Sequence, residues 1–276
     1  MAGKQTGITM DMYFITELLR EAGREILMPA FQHQSHKAYT KHDGTIVTDT
    51  DLTCQKFLRE QLAVLYSEIG FVGEEMSKKN QLSCMKENHR FWCLDPLDGT
   101  TNFVTSLPVF GISLALIEGG QPVFACIHDP VRDEIFSAVR NEGAWLNQQP
   151  LKAVPVKSLS ESVGFIDFKR IPYGLATYLA TKECYRSQRN IGSCVLEWAW
   201  LATGRAQFII HGNEKLWDYA AGCLLAEEAG CIVSDFKQQH PFHAKSLGSS
   251  IIAATSATVH QQLLRLPLSG DGQAPG

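Results

Sequence analysis

At residue 71 the spacing of the apolar side chains changes, and that change limits the architectures open to this chain. Before it, Phe14, Leu18 and Ala22, with Ile15, Leu19 and Ile26, recur at helical intervals over 11–31, and Pro29 is expected to end that helix. Cys54, Leu58, Leu62 and Leu65 predict a second helix over 51–67. Between the two, Lys41-His42-Asp43-Gly44 reads as a turn into a short strand or extended loop at 45–48. After residue 71 come short apolar or alternating runs divided by turn residues, at 71–73, 91–94, 111–118, 123–128 and 134–140. Several links between them are too short for a helical crossover, so they predict one largely antiparallel sheet.

Beyond about residue 150 the pattern alternates. Strands are expected at 163–168, 206–210, 231–234 and 251–254, and helices at 172–182, 194–203, 219–229 and 257–266. Strands separated by helices indicate an α/β half with a partly parallel sheet. The chain therefore divides into an N-terminal α+β half, 1–150, and a C-terminal α/β half, 151–268. A Gly/Pro-rich tail, 269–276, is expected to be flexible. We find no internal repeat.

Composition removes several classes of function. A net charge of -4 without a Lys/Arg-rich run is the wrong sign for a nucleic-acid or acidic-lipid surface. The eight cysteines are scattered, mostly inside apolar runs such as Phe91-Trp92-Cys93-Leu94, with no Cys-x-x-Cys pair or Cys/His zinc spacing. Buried free thiols in a reducing compartment explain them better than disulfides. No segment has the form of a signal peptide or approaches the ~18 apolar residues of a membrane span, so a cytoplasmic protein is expected.

The chemistry concentrates in three segments. In Trp92-Cys93-Leu94-Asp95-Pro96-Leu97-Asp98-Gly99-Thr100-Thr101-Asn102-Phe103, a buried strand is expected to end at Leu94, followed by two carboxylates across a Pro turn. Carboxylates so spaced can flank a hard cation, which prefers oxygen ligands. N–H groups from Gly99 onward would make an anion site where a helix opens, so metal and phosphate would meet at one place. An ordinary Asp-Gly surface turn would look similar, but the threonines and buried aromatic flanks argue against it. Gly73-Glu74-Glu75 follows a predicted strand; alone it would read as two solvated glutamates. Trp217-Asp218-Tyr219-Ala220-Ala221-Gly222 opens an amphipathic helix, with Asp218 expected at the N-cap, a position that also permits metal binding.

Taken in order, Gly-Glu-Glu, Asp-Pro-Leu-Asp-Gly-Thr-Thr-Asn-Phe and Trp-Asp-Tyr-Ala-Ala-Gly closely resemble the inositol monophosphatase family. That family also includes bisphosphate nucleotidases, some histidinol phosphatases and, more distantly, fructose bisphosphatases. The resemblance spans about 11–266. It implies an α+β, α/β fold layered as an α-β-α-β-α sandwich and a phosphatase acting on a small, soluble phosphate monoester. It also implies two or three Mg²⁺ ions per site and inhibition by Li⁺. Glu74, Asp95 and the Leu97 carbonyl would hold the first ion; Asp95, Asp98 and Asp218 the second; a weaker third would lean on Glu74. Thr100, with Glu74, would orient the attacking water, Asp51 would support Thr100, and the Gly99 and Thr100 amides would cradle the phosphate. Lys41 would lie near the loop that closes over the metals.

The substrate wall implied by the resemblance is Ser193, Cys194 and His211. Seven residues before Asp218, inositol phosphatases typically place a Glu that accepts hydrogen bonds from ring hydroxyls; His211 stands there, and an imidazole cannot accept two such bonds. Inositol monophosphate comes first on base rate, with nucleoside bisphosphate, sugar phosphate and histidinol phosphate as alternatives. A different class of function, a protein-binding factor in transcription, is ascribed to some bacterial members of that family; the intact acid set speaks against a loss of enzymatic function here. The resemblance further implies a homodimer, to which Trp198, Trp200 and Phe208 would offer exposed apolar surface.

Overall fold

The computed structural model describes residues 11–41, 44–242 and 246–268. The first helical stretch runs as α1 (Met12–Ala22), a π-helical turn (Gly23–Leu27) and α2 (Met28–His33). Pro29 does not end it. The π turn sends the Met28 N–H to the Gly23 carbonyl, and Pro29 then occupies the first turn of α2, where a missing N–H costs nothing. The end comes at Gln34, in the left-handed conformation.

A small hairpin follows, β1 (Ala38–Thr40) against β2 (Ile46–Thr48). Its turn is closed by the Gly44 N–H on the Lys41 carbonyl at 3.0 Å, while His42 and Asp43, part of the expected turn, lie outside the described residues. Next come α3 (Asp49–Leu65), β3 (Gly70–Gly73), α4 (Lys78–Glu87), β4 (Arg90–Asp98), α5 (Thr100–Val104), β5 (Gly111–Glu118), β6 (Gln121–Asp129), β7 (Glu134–Val139), β8 (Gly143–Leu146) and β9 (Gln149–Leu151). Strands β3 to β9 form one sheet in chain order, antiparallel throughout except for the parallel pair β3 and β4.

The second half holds β10 (Val163–Ile166), α6 (Tyr173–Thr181), β11 (Ser187–Arg189), α7 (Cys194–Ala202), β12 (Phe208–Lys215), α8 (Leu216–Glu228), β13 (Ile232–Ser234), β14 (Gly248–Ala254) and α9 (Ala257–Leu264). Its sheet has the order β11-β10-β12-β14-β13; β11, β10 and β12 are parallel, and β14 runs antiparallel to both of its neighbours, β12 and β13. The tail expected to be flexible, 269–276, lies outside the described residues.

The alternation of side chains across each strand builds the layers. In the seven-stranded sheet, Trp92, Leu94, Leu114, Leu116 and Phe124 face Ile15, Leu18, Cys54 and Leu58 of α1 and α3. Their neighbours Phe91, Cys93, Ala115, Ile117 and Ala125 face α7 and α8 on the other side. The same two helices meet Phe165, Ile209, Ile251 and Ala253 of the second sheet. Its opposite face, Ile166, Phe208, Ile210 and Ile252, packs under α6 and α9 through Leu175, Leu179, Val259 and Leu263. Three cores, the middle one lying on both sides of α7 and α8, thus join five layers, an α-β-α-β-α sandwich, as expected. Because the middle helices are covered on both sides, apolar residues are spread over most of their circumference instead of forming one stripe.

That burial corrects one expectation. Trp198 and Phe208 are fully buried and offer no dimer surface; Trp200 is partly buried, with the guanidinium groups of Arg132 and Arg205 stacked on its ring. All eight cysteines are free thiols. Among the described residues no helix is long and apolar enough to cross a membrane.

The two middle helices approach closely at Gly222 of α8, where an added Cβ would lie 2.3 Å from the Trp198 ring on α7. In an exposed helix Gly→Ala gains up to about 1 kcal/mol. Here overpacking reverses the sign: Gly222→Ala should destabilise the protein by about 1–3 kcal/mol, seen as a lower urea midpoint with an unchanged slope.

Candidate active site

Two carboxylates three residues apart on a regular strand would point to opposite faces of the sheet. Asp95 and Asp98 escape this through a bulge. Strand β4 does not stop at Leu94 before a Pro turn, as expected, but continues to Asp98, and its register against β5 pairs Asp95 with Ser113 and Asp98 with Gly111. One extra residue on β4 shifts the parity and turns both acids the same way. Pro96, which has no N–H for the ladder, sits within the irregularity, and Asp95 Oδ1 accepts the Leu97 N–H at 3.0 Å.

The third acid arrives from the other half of the chain. Helix α8 begins at Leu216, so Asp218 is not its N-cap but its third residue, where its carboxylate accepts the Lys215 N–H at 3.2 Å in a capping box. One carboxylate oxygen each from Asp95, Asp98 and Asp218 lies within 4.8 Å of the others. Burial, then the neighbouring carboxylates, push Asp95 and Asp218 well above the usual carboxylate range. Burial also raises Asp98, to about 7, although hydrogen bonds from Ser193 and the Val195 N–H partly oppose it. Three hard oxygen donors starved of protons or cations fit a divalent ion such as Mg²⁺.

Glu74 stands at the end of β3, beside this trio; its N–H reaches the Leu94 carbonyl at 3.1 Å. Lys41 Nζ bonds Glu74 Oε1 at 2.8 Å and Glu75 Oε1 at 2.7 Å. Burial alone would lower the proton affinity of Lys41, but the two glutamates outweigh it and raise it. Glu75 is itself raised to about 7, chiefly by burial. Asp51, in the first turn of α3, completes a capping box with Thr48, and its Oδ1 lies 3.2 Å from Thr100 Oγ1. Burial lifts Asp51 to about 6. The Thr100 hydroxyl also lies 3.1 Å from the Leu97 carbonyl. Gly99 opens α5 at φ 87° without a side-chain cap; a Cβ there would lie 2.9 Å from the Val109 carbonyl, so only glycine fits.

Two of the three residues expected on the substrate wall are turned inward. Ser193 is buried; its hydroxyl donates to Asp98 Oδ2 at 2.5 Å, and the Val195 N–H reaches the same oxygen at 2.8 Å. The start of α7 therefore clamps a cage acid. His211 is also buried: its Nδ1 accepts the Asn213 N–H at 3.2 Å, so the ring hydrogen sits on Nε2, 3.2 Å from Asp167 Oδ2. Only Cys194 keeps part of its surface open.

Two Cys/His/Glu groups, absent from any sequence spacing, come together in space: Cys194, His211 and Glu214, and Cys223, Glu227 and His240. In each, a backbone N–H, from Asn213 or Phe242, occupies the histidine Nδ1 and leaves Nε2 donating to a carboxylate. These are hydrogen-bonded networks, not free ligand sets.

Sequence reasoning missed three supports. Gln81, the one buried residue of α4, donates to the carbonyls of Gly73 at 2.9 Å and Glu74 at 3.2 Å. Gln55 accepts the Glu75 N–H at 3.1 Å. Asn102 ties Val109 and Ile191 together at 2.8 and 2.7 Å. Asn102 stood inside the acidic motif and was findable there; Gln55 and Gln81 carried no signal.

The chain has relatives among known proteins. The model of the family described as "Inositol monophosphatase family" matches residues 11–267. An inositol monophosphatase of Dictyostelium discoideum is 32% identical over 239 residues, covering 83% of this chain and 86% of that one. A protein named Nus factor SuhB from Escherichia coli K12 is 32% identical over 255 residues, covering 90% and 92%. Among solved structures, an IMPase of Thermotoga maritima superposes with TM-score 0.79 at 28% identity, over 92% of this chain and 94% of its own.

The cage generates a pH prediction for the metal-free protein. A carboxyl raised in the folded state binds protons there that the unfolded chain has already released, so stability is highest at low pH and falls as pH rises toward the folded value. From Asp98 and Asp51, the loss runs from about pH 4 to about 7. Without divalent ions the Tm should drop between pH 5 and 8, and added Mg²⁺ should raise it far more at pH 8 than at pH 5. Equal Mg²⁺ shifts at both values would contradict the cage.

Proposed function

Because this chain belongs to the inositol monophosphatase family, whose members hydrolyse phosphate monoesters, we propose that it is a Mg²⁺-dependent phosphatase of a small, soluble ester, with its metal cage at Glu74, Asp95, Asp98 and Asp218. The observation that carries this reading is the approach of three carboxylates from both halves of the chain to within 4.8 Å. Such a group is costly unless a cation occupies it.

The family is metal-dependent, and two or three Mg²⁺ ions would be held here by the Asp95, Asp98 and Asp218 cluster, with Glu74 and the Leu97 carbonyl as further oxygen donors. When bound, they supply charge neutralisation for the phosphate dianion and its leaving oxygen. The chain's own groups do the positioning. Thr100 Oγ1, held between Asp51 and the Leu97 carbonyl, would fix the water that attacks in line, with Glu74 as its second anchor. With a proton affinity raised to about 6, Asp51 can share the hydrogen of that hydroxyl near neutral pH. The amides of Gly99 and Thr100, at the start of α5, would hold phosphate oxygens.

Relatives carrying the name Nus factor SuhB raise a regulatory alternative. We keep the catalytic reading because the acid set is whole.

A phosphate-release screen over inositol phosphates, sugar phosphates, nucleotides and histidinol phosphate, with and without Mg²⁺, tests the proposal. Turnover should require Mg²⁺ and be depressed by Li⁺. Asp95→Asn should lower it by more than about a hundredfold and, by removing one repelling charge, should raise the Tm of the metal-free protein. Full activity in that variant would remove Asp95 from the mechanism.

A further inference from the structure

Behind the cage a chain of contacts leads from a carboxylate to an arginine at the surface. Ser193 and Val195 clamp Asp98, and Cys194 stands between them with its Sγ 3.9 Å from His211 Nε2. His211 Nε2 donates to Asp167 Oδ2, and the same oxygen takes Nη1 of Arg170. Asp167 Oδ1 accepts the Lys169 N–H at 2.9 Å, and its own N–H reaches the Ile210 carbonyl at 3.2 Å. The turn that carries Arg170 cannot drift, because a Cβ on Gly212 would lie 1.6 Å from the Arg170 carbonyl; the two backbones touch.

The outcome is a reversal of charge at the wall. Where a carboxylate would face the hydroxyls of a neutral polyol, His211 is buried and both its ring nitrogens are engaged. The group left outward is the Arg170 guanidinium, 53% exposed, whose Nε and Nη2 have no partner among the described residues. Asp167 is a firm anchor for it. Burial would raise that carboxyl, but the bonds from His211 and Arg170 prevail and hold it well below the usual range. Through Asp167, His211 and Cys194, the Arg170 guanidinium is joined by a continuous run of contacts to the Ser193 clamp on Asp98. Helix α6 starts at Tyr173 under Pro172, which supplies no side-chain acceptor, and the positive end of its dipole lies beside Arg170.

We propose that Arg170 is an anion receptor for the alcohol part of the substrate, so that the preferred esters carry a second oxyanion, phosphate or carboxylate, in addition to the phosphate that is cleaved. This rests on the phosphatase reading above and narrows its substrate class. A planar guanidinium with one edge pinned by Asp167 and the other free fits a two-oxygen anion in a way that neither a lysine nor an imidazole reproduces.

Matched pairs of esters test it, each measured with Mg²⁺ on the native protein, Arg170→Ala and Arg170→Lys. Adenosine 3',5'-bisphosphate against adenosine 3'-phosphate reads a second phosphate; 2-phosphoglycerate against glycerol 2-phosphate reads a carboxylate. In at least one pair the native protein should favour the doubly anionic member. Arg170→Ala should remove that preference by about tenfold to a hundredfold, through KM and not kcat. Arg170→Lys should recover part of it, and raised ionic strength should shrink it. Whichever pair responds names the second anion. If phosphate is released but neither pair shows a preference, or Arg170→Ala leaves the preference intact, the receptor is overturned and the phosphatase reading stands. If no ester releases phosphate with any of the three proteins, the phosphatase reading itself falls.

Discussion

Carboxylates held together away from bulk water repel, and most of what is unusual about this chain serves to hold them together anyway. A regular β4 would separate Asp95 from Asp98, and an isolated helix start would leave Asp218 in solvent. The bulge at Pro96 and the seating of α8 between two sheets force the three into one place. Their raised proton affinities are the electrostatic record of that compression. A protein gains nothing in stability from such an arrangement. It makes sense only if divalent ions reverse the sign of the interaction, because the same field that opposes three negative charges attracts two positive ones.

The cores supply the rigidity that this needs. Each acid stands at the end of an element with well-packed apolar faces: β3 and β4 between the outer helices and α7/α8, and α8 between the sheets. Strain at the cage is thereby spread over many contacts, and the acids cannot relax apart by bending one loop. Lys41 fits the same logic from outside. It rides on the turn of the β1–β2 hairpin, which packs far less deeply than the strands of the main sheets, and places a positive charge on Glu74 and Glu75.

Much of this was legible in the residues, and the exceptions share a cause. Strands β5 to β7 appeared nearly at their observed bounds because alternating burial writes itself into the sequence. Helix α4 was missed because it buries a single glutamine, so no apolar stripe marks it. Strands β8, β9 and β11 are too short to show a period. Pro96 suggested a turn because proline normally stops a strand, and the bulge that accommodates it depends on the partner β5. Asp218 was placed three residues early in its helix because the acid of a capping box resembles an N-cap when only one chain segment is in view. The family motifs marked the acids themselves, but nothing local could reveal that Ser193 and His211 face inward. That depends on Asp98 and Asp167, which stand 95 and 44 residues away in the chain.

That last point separates chemistry from selectivity in this molecule. The cage is assembled by sheet register and helix seating, which cannot vary without loss of the fold. The wall beside it is assembled by side-chain contacts on a short turn, 167–170, and the irregular stretch of β12, 211–214, held against each other by the touch of Gly212 on Arg170. With His211 at this position, the imidazole bonds Asp167, Asp167 takes Arg170, and the group left exposed is a guanidinium. A fold in which the metal chemistry is locked into the layers and the wall is set by a four-residue turn can change its substrate through a few side chains.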